Sequence, residues 1–132
     1  MAASIIFKDY QFESADDNGN ISTEKRRAAF YFTMRIIGKL PKTLGCKGLY
    51  ELGERMKDGD LDDFVKLAWL AHETASFIMR KPLEVETIDD MYMLFTPETM
   101  TDMCSMVMDG LVNLMESTEK GVKEAKKKPM KS

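Results

Sequence analysis

Residues 60–78, DLDDFVKLAWLAHETASFI, decide the fold class that the sequence predicts. They open with Asp60, a preferred helix N-cap residue, and further acidic residues complement the positive end of the helix dipole in the first turn. The apolar residues that follow cover most of the helix circumference, which is typical of a helix buried at the centre of a domain. Pro82 disfavours helical backbone at Lys81. We therefore predict a central helix that stops at Arg80 and Lys81.

Upstream of this helix the sequence predicts an extended segment, a turn and a first helix. Residues 4–12 are rich in β-branched and aromatic side chains, which favours one short strand or an arm. Residues 16–20, DDNGN, are typical of a turn. Ser22 and Thr23 then act as candidate caps for a first helix that Pro41 ends. One broad face of that predicted helix is apolar: Ala28, Ala29, Phe32, Ile36, Ile37 and Leu40.

Three further helices are predicted from apolar spacing and capping residues. A short second helix carries Leu49, Leu52 and Met56 at helical spacing. Thr87 opens another short helix with a capping-box pattern, and Thr96, followed by Pro and Glu, opens the last helix. The apolar stripe of the last helix comprises Met100, Met103, Cys104, Val107, Met108, Leu111, Leu114 and Met115.

These elements predict a mainly α protein with a single compact domain of about five helices. The domain spans residues 1–118, with an extended arm and turn in residues 1–21. Residues 119–132 are rich in lysine and are predicted to form a frayed, flexible basic tail.

Composition excludes several classes of protein. The chain has 132 residues and a formal net charge of −3, which fits one domain and disfavours a general nucleic-acid binder. Two cysteines, Cys46 and Cys104, are too few for a disulfide scaffold, and residues 1–6 lack the features of a secretory signal. No apolar stretch approaches the roughly 20 residues that cross a bilayer. We predict a soluble protein of a reducing cytoplasm.

The chain has few residues of the types that commonly carry out catalysis or bind metals. The single histidine, His72, lies within the most apolar helical stretch, which predicts packing or hydrogen bonding rather than catalysis. Residues 58–62, DGDLD, resemble the start of a calcium loop, but Asp63 and Trp69 stand where glycine and glutamate are required. Residues 16–20 fail in the same way. We predict a protein without enzymatic activity, cofactor or metal.

Methionine is the outlier of the composition. The chain contains 12 methionines, and seven of them fall between Met91 and Met115. Because methionine is unbranched and polarisable, methionine-rich faces occur where a protein binds varied apolar partners, although a stripe of this kind also suits a core. The candidate partner-binding residues are Met100, Met103, Val107, Met108, Leu111 and Met115.

Charge is divided between two parts of the chain. Residues 24–48 hold seven basic residues and one acid, whereas residues 84–102 hold six acids and no base. Opposite patches on one small domain permit head-to-tail self-association, although neutralisation within the molecule explains them equally well. The candidate residues for self-association are Arg26, Arg27, Arg35, Asp89 and Asp90.

The order of these signals resembles the tail assembly chaperones of long-tailed bacteriophages. The resemblance covers about residues 30–118 and depends on residues 49–64, LYELGERMKDGDLDDF, on the apolar helix, and on the segments KPL (81–83), TIDD (87–90) and TPE (96–98). It implies a mainly α-helical, non-enzymatic protein of the infected bacterial cytoplasm that is absent from the finished virion.

The resemblance also implies partners. Such chaperones bind the tape measure protein and keep it soluble while tail tube subunits polymerise around it. A longer form that arises by programmed frameshifting recruits the tail tube protein, and residues 125–128, AKKK, are compatible with a slippery site in the gene. The alternatives are a small helical protein-interaction or nucleic-acid-binding regulator, which would use Lys25, Arg26, Arg27 and the lysine tail, and a minor enzyme that would pair His72 with a carboxylate.

Overall fold

The computed structural model contains both strands and helices in one small α/β domain. It describes the backbone of residues 5–127 and the side chains of residues 5–48 and 50–116. The described elements are β1 (Ile6–Ala15), β2 (Ile21–Phe30), α1 (Met34–Thr43), α2 (Leu49–Met56), α3 (Leu61–Met79), α4 (Ile88–Tyr92) and α5 (Met100–Lys127). The prediction of a mainly α fold with a short extended segment is therefore wrong, because a two-stranded antiparallel sheet accompanies the helices.

The difference lies in residues 21–30, which form a strand instead of the start of a helix. β2 pairs with β1 in an antiparallel register that places Ile6 opposite Phe30 and Ala15 opposite Ile21. The predicted turn is confirmed, since the carboxylate of Asp16 accepts hydrogen bonds from the backbone N–H groups of Asn18 and Asn20, both at 2.9 Å. Two strands joined by this turn satisfy each other's backbone groups.

Helix α1 begins later and ends later than the sequence predicts. Its N-cap is Thr33, whose hydroxyl accepts from the Arg35 N–H at 3.4 Å, and Pro41 lies inside the helix rather than at its end. Proline removes one N–H donor, and α1 continues past it to Thr43. The short C-terminal turn is closed by the Leu44 N–H, which donates to Leu40 O at 2.9 Å.

Helix α3 is the centre of the domain, as predicted. It begins after the N-cap Asp60 and ends at Arg80, which takes the left-handed conformation with φ 58°. Its buried residues lie around most of its circumference: Asp63, Phe64, Val65, Leu67, Ala68, Leu70, Ala71, His72, Thr74 and Ala75. Strand β2 approaches it so closely that the Tyr31 N–H donates to Ala71 O at 2.9 Å.

The side chain of His72 connects α3 to two other parts of the chain. It is 1% exposed; its Nδ1 lies 2.8 Å from Ala29 O, and the Val85 N–H donates to its Nε2 at 3.1 Å. Because Ala29 O can only accept, Nδ1 carries the proton, and because the Val85 N–H can only donate, Nε2 carries none, so the ring is neutral. The predicted packing and hydrogen-bonding role of His72 is confirmed.

Helix α4 follows its predicted cap, whereas α5 begins at Met100, three residues after its predicted start at Pro97. The Thr87 hydroxyl accepts from the Asp90 N–H at 3.1 Å and so caps α4. The Thr96 hydroxyl accepts from the Thr99 N–H at 3.2 Å, and α5 begins one residue later. The backbone of α5 extends to Lys127, which places much of the predicted tail in helix, whereas residues 128–132 lie outside the described residues.

A glycine sets the position of α5 against the core. Gly110 lies so close to the ring of Phe32 that a Cβ atom there would overlap the ring. Phe32 is buried and stands between β2 and α1. The buried face of α5 is therefore seated on the segment that joins the hairpin to the helices.

Candidate functional site

The predicted partner-binding residues on α5 divide into a buried group and an exposed group. Met103, Val107 and Leu111 are buried in the hydrophobic core, with exposures of 3%, 0% and 3%. Met100 is half-buried against that core. Only Met108 and Met115, 37% and 38% exposed, present a large part of their side chains to solvent. The structure therefore does not bring all six residues to one accessible surface.

The exposed residues nevertheless belong to a continuous apolar strip. Val112 is 45% exposed and lies between Met108 and Met115 at the i, i+4, i+7 spacing that places residues on one helix face. We call Met108, Val112 and Met115 the α5 stripe. The predicted set did not include Val112, although this spacing was visible in the sequence.

The α5 stripe suits an apolar partner better than a reaction. Its three side chains carry no group that donates or accepts a proton at neutral pH, and two of them are flexible methionines. A row of apolar side chains at helical spacing is the surface that an amphipathic partner helix covers. Neighbouring buried residues of α5 hold the stripe on a fixed element of the domain.

The residues predicted for self-association lie on three different elements of the fold. Arg26 and Arg27 lie on β2, where Arg26 stands 4.0 Å from the centroid of the Phe12 ring and Arg27 Nε lies 3.2 Å from Asp9 Oδ1. Arg35 lies on α1 and donates to the Thr74 hydroxyl at 3.0 Å. Asp89 and Asp90 are on α4, where Asp90 takes part in the cap.

The basic residues of β2 are also neutralised within the molecule. Lys25 Nζ lies 3.8 Å from Asp9 Oδ2, and Arg26 Nη2 lies 3.2 Å from Glu24 Oε2. The bases of β2 are therefore paired within the hairpin, with Asp9 and Glu24 rather than with the acids of residues 84–102, and self-association through them stays a prediction. These pairs leave less free positive charge for phosphate groups than the sequence suggests.

The histidine and the cysteines are not arranged as a nucleophilic site. Burial lowers the pKa of His72, with the hydrogen bond to Ala29 O opposing this effect, and both ring nitrogens already have partners. Burial raises the pKa of the Cys104 thiol, which disfavours the reactive thiolate. Cys46 is 1% exposed. A general base would need a free ring nitrogen, which His72 lacks in this fold.

The described residues, 5–127, contain no group of three or more His, Cys, Asp or Glu side chains that could hold a metal ion. Within the same part of the chain, none of the helices is both long and apolar enough to span a bilayer.

Compared with protein-family models, with curated proteins and with solved structures, the chain matches none of them.

Proposed function

We propose that this chain is a non-enzymatic tail assembly chaperone of a long-tailed bacteriophage, which binds the tape measure protein and keeps it soluble during assembly of the tail tube. The observation that carries the proposal is the α5 stripe, an exposed apolar row at helical spacing. The resemblance of residues 30–118 to this family supports the same function.

The proposed mechanism is transient cover of an apolar helix face. A tape measure protein is long and helical, so its apolar stripes remain in water until tube subunits surround them, and exposed stripes of this kind promote aggregation. Met108 and Met115 adapt to different partner side chains because methionine has no branched carbon and rotates freely. The host cytoplasm is the compartment where this cover is needed.

The stripe gives a measurable contribution to binding. Full burial of a methionine or valine side chain contributes about 1.5–3 kcal/mol. The side chains of the stripe are already partly covered, so we expect about 1 kcal/mol from each when a partner helix buries the rest. Loss of two of them then corresponds to an affinity loss of about tenfold or more.

Co-expression with the tape measure protein, the large helix-rich protein encoded downstream, tests the proposal. We expect the wild-type chain to raise the soluble fraction of the tape measure protein and to co-purify with it. The double variant Met108→Asp and Met115→Asp should lose both effects while keeping its circular dichroism spectrum and melting temperature. Aspartate at the buried Met103 is unsuitable, because it would disrupt the core.

Tyr50→Asp is the matched control, since Tyr50 is 83% exposed and lies on α2. This variant also adds negative charge at an exposed apolar residue, so it should behave like the wild type. A soluble tape measure protein that co-purifies equally with the wild type and the double variant would show that the α5 stripe is not the binding surface. Absence of any complex with the wild-type chain would refute the proposed function itself.

A further inference from the structure

The outer part of the β1–β2 hairpin projects from the domain. Every residue from Glu13 to Lys25 is exposed, which means that no other described element covers either face of this segment. We call residues 13–25 the hairpin arm. A two-stranded ribbon is marginally stable alone and presents unpaired backbone groups along both outer edges.

The hydrogen bond of His72 shows which backbone groups point outward. Ala29 O accepts from His72, and Tyr31 N donates to Ala71 O, so odd-numbered residues at the end of β2 direct their backbone groups away from β1. The N–H and C=O groups of successive residues in an antiparallel strand point alternately toward the partner strand and away from it. The register pairs odd residues with odd residues, with Phe7 opposite Ala29, so the odd residues of β1 also direct these groups outward. The outward groups therefore belong to Phe7, Asp9, Gln11 and Glu13 on β1, and to Thr23, Lys25 and Arg27 on β2.

These outward groups are free along most of both strands. Among residues 5–127, no backbone hydrogen bond engages the outward N–H and C=O groups of residues 7–13 or 23–27. A groove of about 210 Å³ borders the β1 edge; four consecutive residues of that strand, Tyr10 to Glu13, line it together with Val85, Asp90, Met93 and Leu94. Consecutive residues of a strand point to opposite faces, so the groove opens beside the strand's edge.

The two free edges carry opposite charges. The acids of the solvent-facing side, Asp9 and Glu13, lie on β1, whereas its bases, Lys25 and Arg27, lie on β2. Within one hairpin this arrangement gives the Asp9 to Arg27 pair at 3.2 Å. A basic strand that adds to the β1 edge, or an acidic strand that adds to the β2 edge, would make charge pairs of the same kind.

We propose that copies of this chain associate edge to edge through their hairpins, with the β1 edge of one copy (residues 7–13) pairing with the β2 edge of the next (residues 23–27). The added strand runs antiparallel when both copies face the same way, so acidic and basic strands alternate across the joined sheet. Pairing of β1 with β1 would place Asp9 and Glu13 beside their equivalents, and like charges directly opposite one another are destabilising. Pairing of β2 with β2 would do the same for Lys25 and Arg27.

This contact differs in kind from a closed symmetric dimer. A heterologous contact leaves one free edge at each end, so it produces larger rings or open chains. The added strand cannot pair with the last residues of β2, because the outward carbonyl of Ala29 already accepts a hydrogen bond from His72. The contact does not involve the α5 stripe, so it stands or fails independently of the proposed function.

Proline substitutions at outward positions test the proposal with little effect on the hairpin itself. Gln11→Pro removes an outward N–H on β1, and Thr23→Pro removes one on β2; neither N–H is bonded to the other strand. Gln11→Ala and Thr23→Ala are the matched controls, because both keep the N–H. Sedimentation velocity and light scattering from micromolar to millimolar protein give the mass of each species, and circular dichroism confirms that each variant is folded.

We expect the wild type and both alanine controls to associate beyond the dimer as concentration rises, and to dissociate when salt screens the charges. Each proline variant alone should remain a monomer, and an equal mixture of the two should form a dimer, since each supplies the edge that the other lacks. A wild type that stays monomeric to millimolar concentration would overturn the proposal. Self-association of either proline variant alone would overturn it as well, because that result requires pairing of like edges or another surface.

Discussion

The stability of this protein should fall as pH drops from about 6.5 to 5, and His72 should be the cause. In the folded chain the ring is neutral, because Nδ1 donates to Ala29 O and Nε2 accepts from the Val85 N–H. A proton on Nε2 would point at the Val85 N–H, so this hydrogen bond would be lost and two donors would oppose each other. Burial, the largest influence, lowers the pKa of the folded His72, whereas the Ala29 hydrogen bond and the charges of Glu84 and Glu73 oppose it.

The sign and size of the effect follow from proton linkage. In the unfolded chain histidine has its ordinary pKa of about 6.5 and takes up a proton as the pH falls, which favours unfolding. Stability is then highest above about pH 6.5 and decreases toward pH 5 by at most about 1.4 kcal/mol per pH unit. The loss over this interval therefore has an upper limit of about 2 kcal/mol, reached if the folded ring stays neutral throughout.

Urea denaturation at several pH values measures this loss, and the variant His72→Asn isolates it. Asparagine does not titrate here, so the variant's free energy of unfolding should change less over the interval, although the unpaired Val85 N–H lowers it by about 1–3 kcal/mol at every pH. Since the chain has one histidine, its imidazole NMR signals report the protonation directly. Equal pH dependence of the wild type and the variant, or a charged imidazole in the folded protein at pH 5, would refute this reasoning.

Substitutions at three further sites test how the fold is held together. Gly110→Ala should destabilise the fold by about 1–3 kcal/mol despite its better helix propensity, because the new Cβ overlaps the buried Phe32 ring; a raised melting temperature would contradict this. Arg55→Met should lower the free energy of unfolding by about 3 kcal/mol, because it leaves the carboxylate of Asp63, 2% exposed and 2.9 Å from Arg55 Nε, without its partner; urea titration measures the loss. Thr87→Ala should lower it by about 1 kcal/mol through loss of the α4 cap, and Thr87→Ser should restore most of that in the same assay.

The local signals in the sequence predict the starts of α2, α3 and α4 and fail where the structure depends on distant pairing. Thr87 and Asp60 mark helix starts in both the sequence and the structure, because capping is decided by a few adjacent residues. The sequence predicts helix from Ser22 onward, because Ser22 and Thr23 suit a cap and Ala28 and Ala29 fall on an apolar helical face. Their strand conformation depends on pairing with residues 6–15, which no local pattern shows.

The candidate site was predictable only in part, for a related reason. Helical spacing showed that α5 has an apolar face, but it does not show which part of that face the rest of the chain covers. The structure places Met103 and Val107 in the core and leaves Met108 exposed. The direction of the outward backbone groups could not be predicted, because it depends on the register between β1 and β2, which no local sequence pattern shows.

The close approach of the hairpin to α3 restricts how this sequence can diverge. Tyr31 and Ala71 join the end of β2 to α3 backbone to backbone, and Ala68 and Ala75 lie about one turn from Ala71 on the same side of α3, each 0% exposed. Methionine positions elsewhere accept leucine or isoleucine at modest cost, since those side chains have similar volume. Distant relatives of this chain should therefore retain small residues at the 68, 71 and 75 positions even after most of their apolar residues have been exchanged. A sequence alignment that gives extra weight to small residues at these three positions would therefore detect distant relatives whose overall sequence identity is too low to show the relationship.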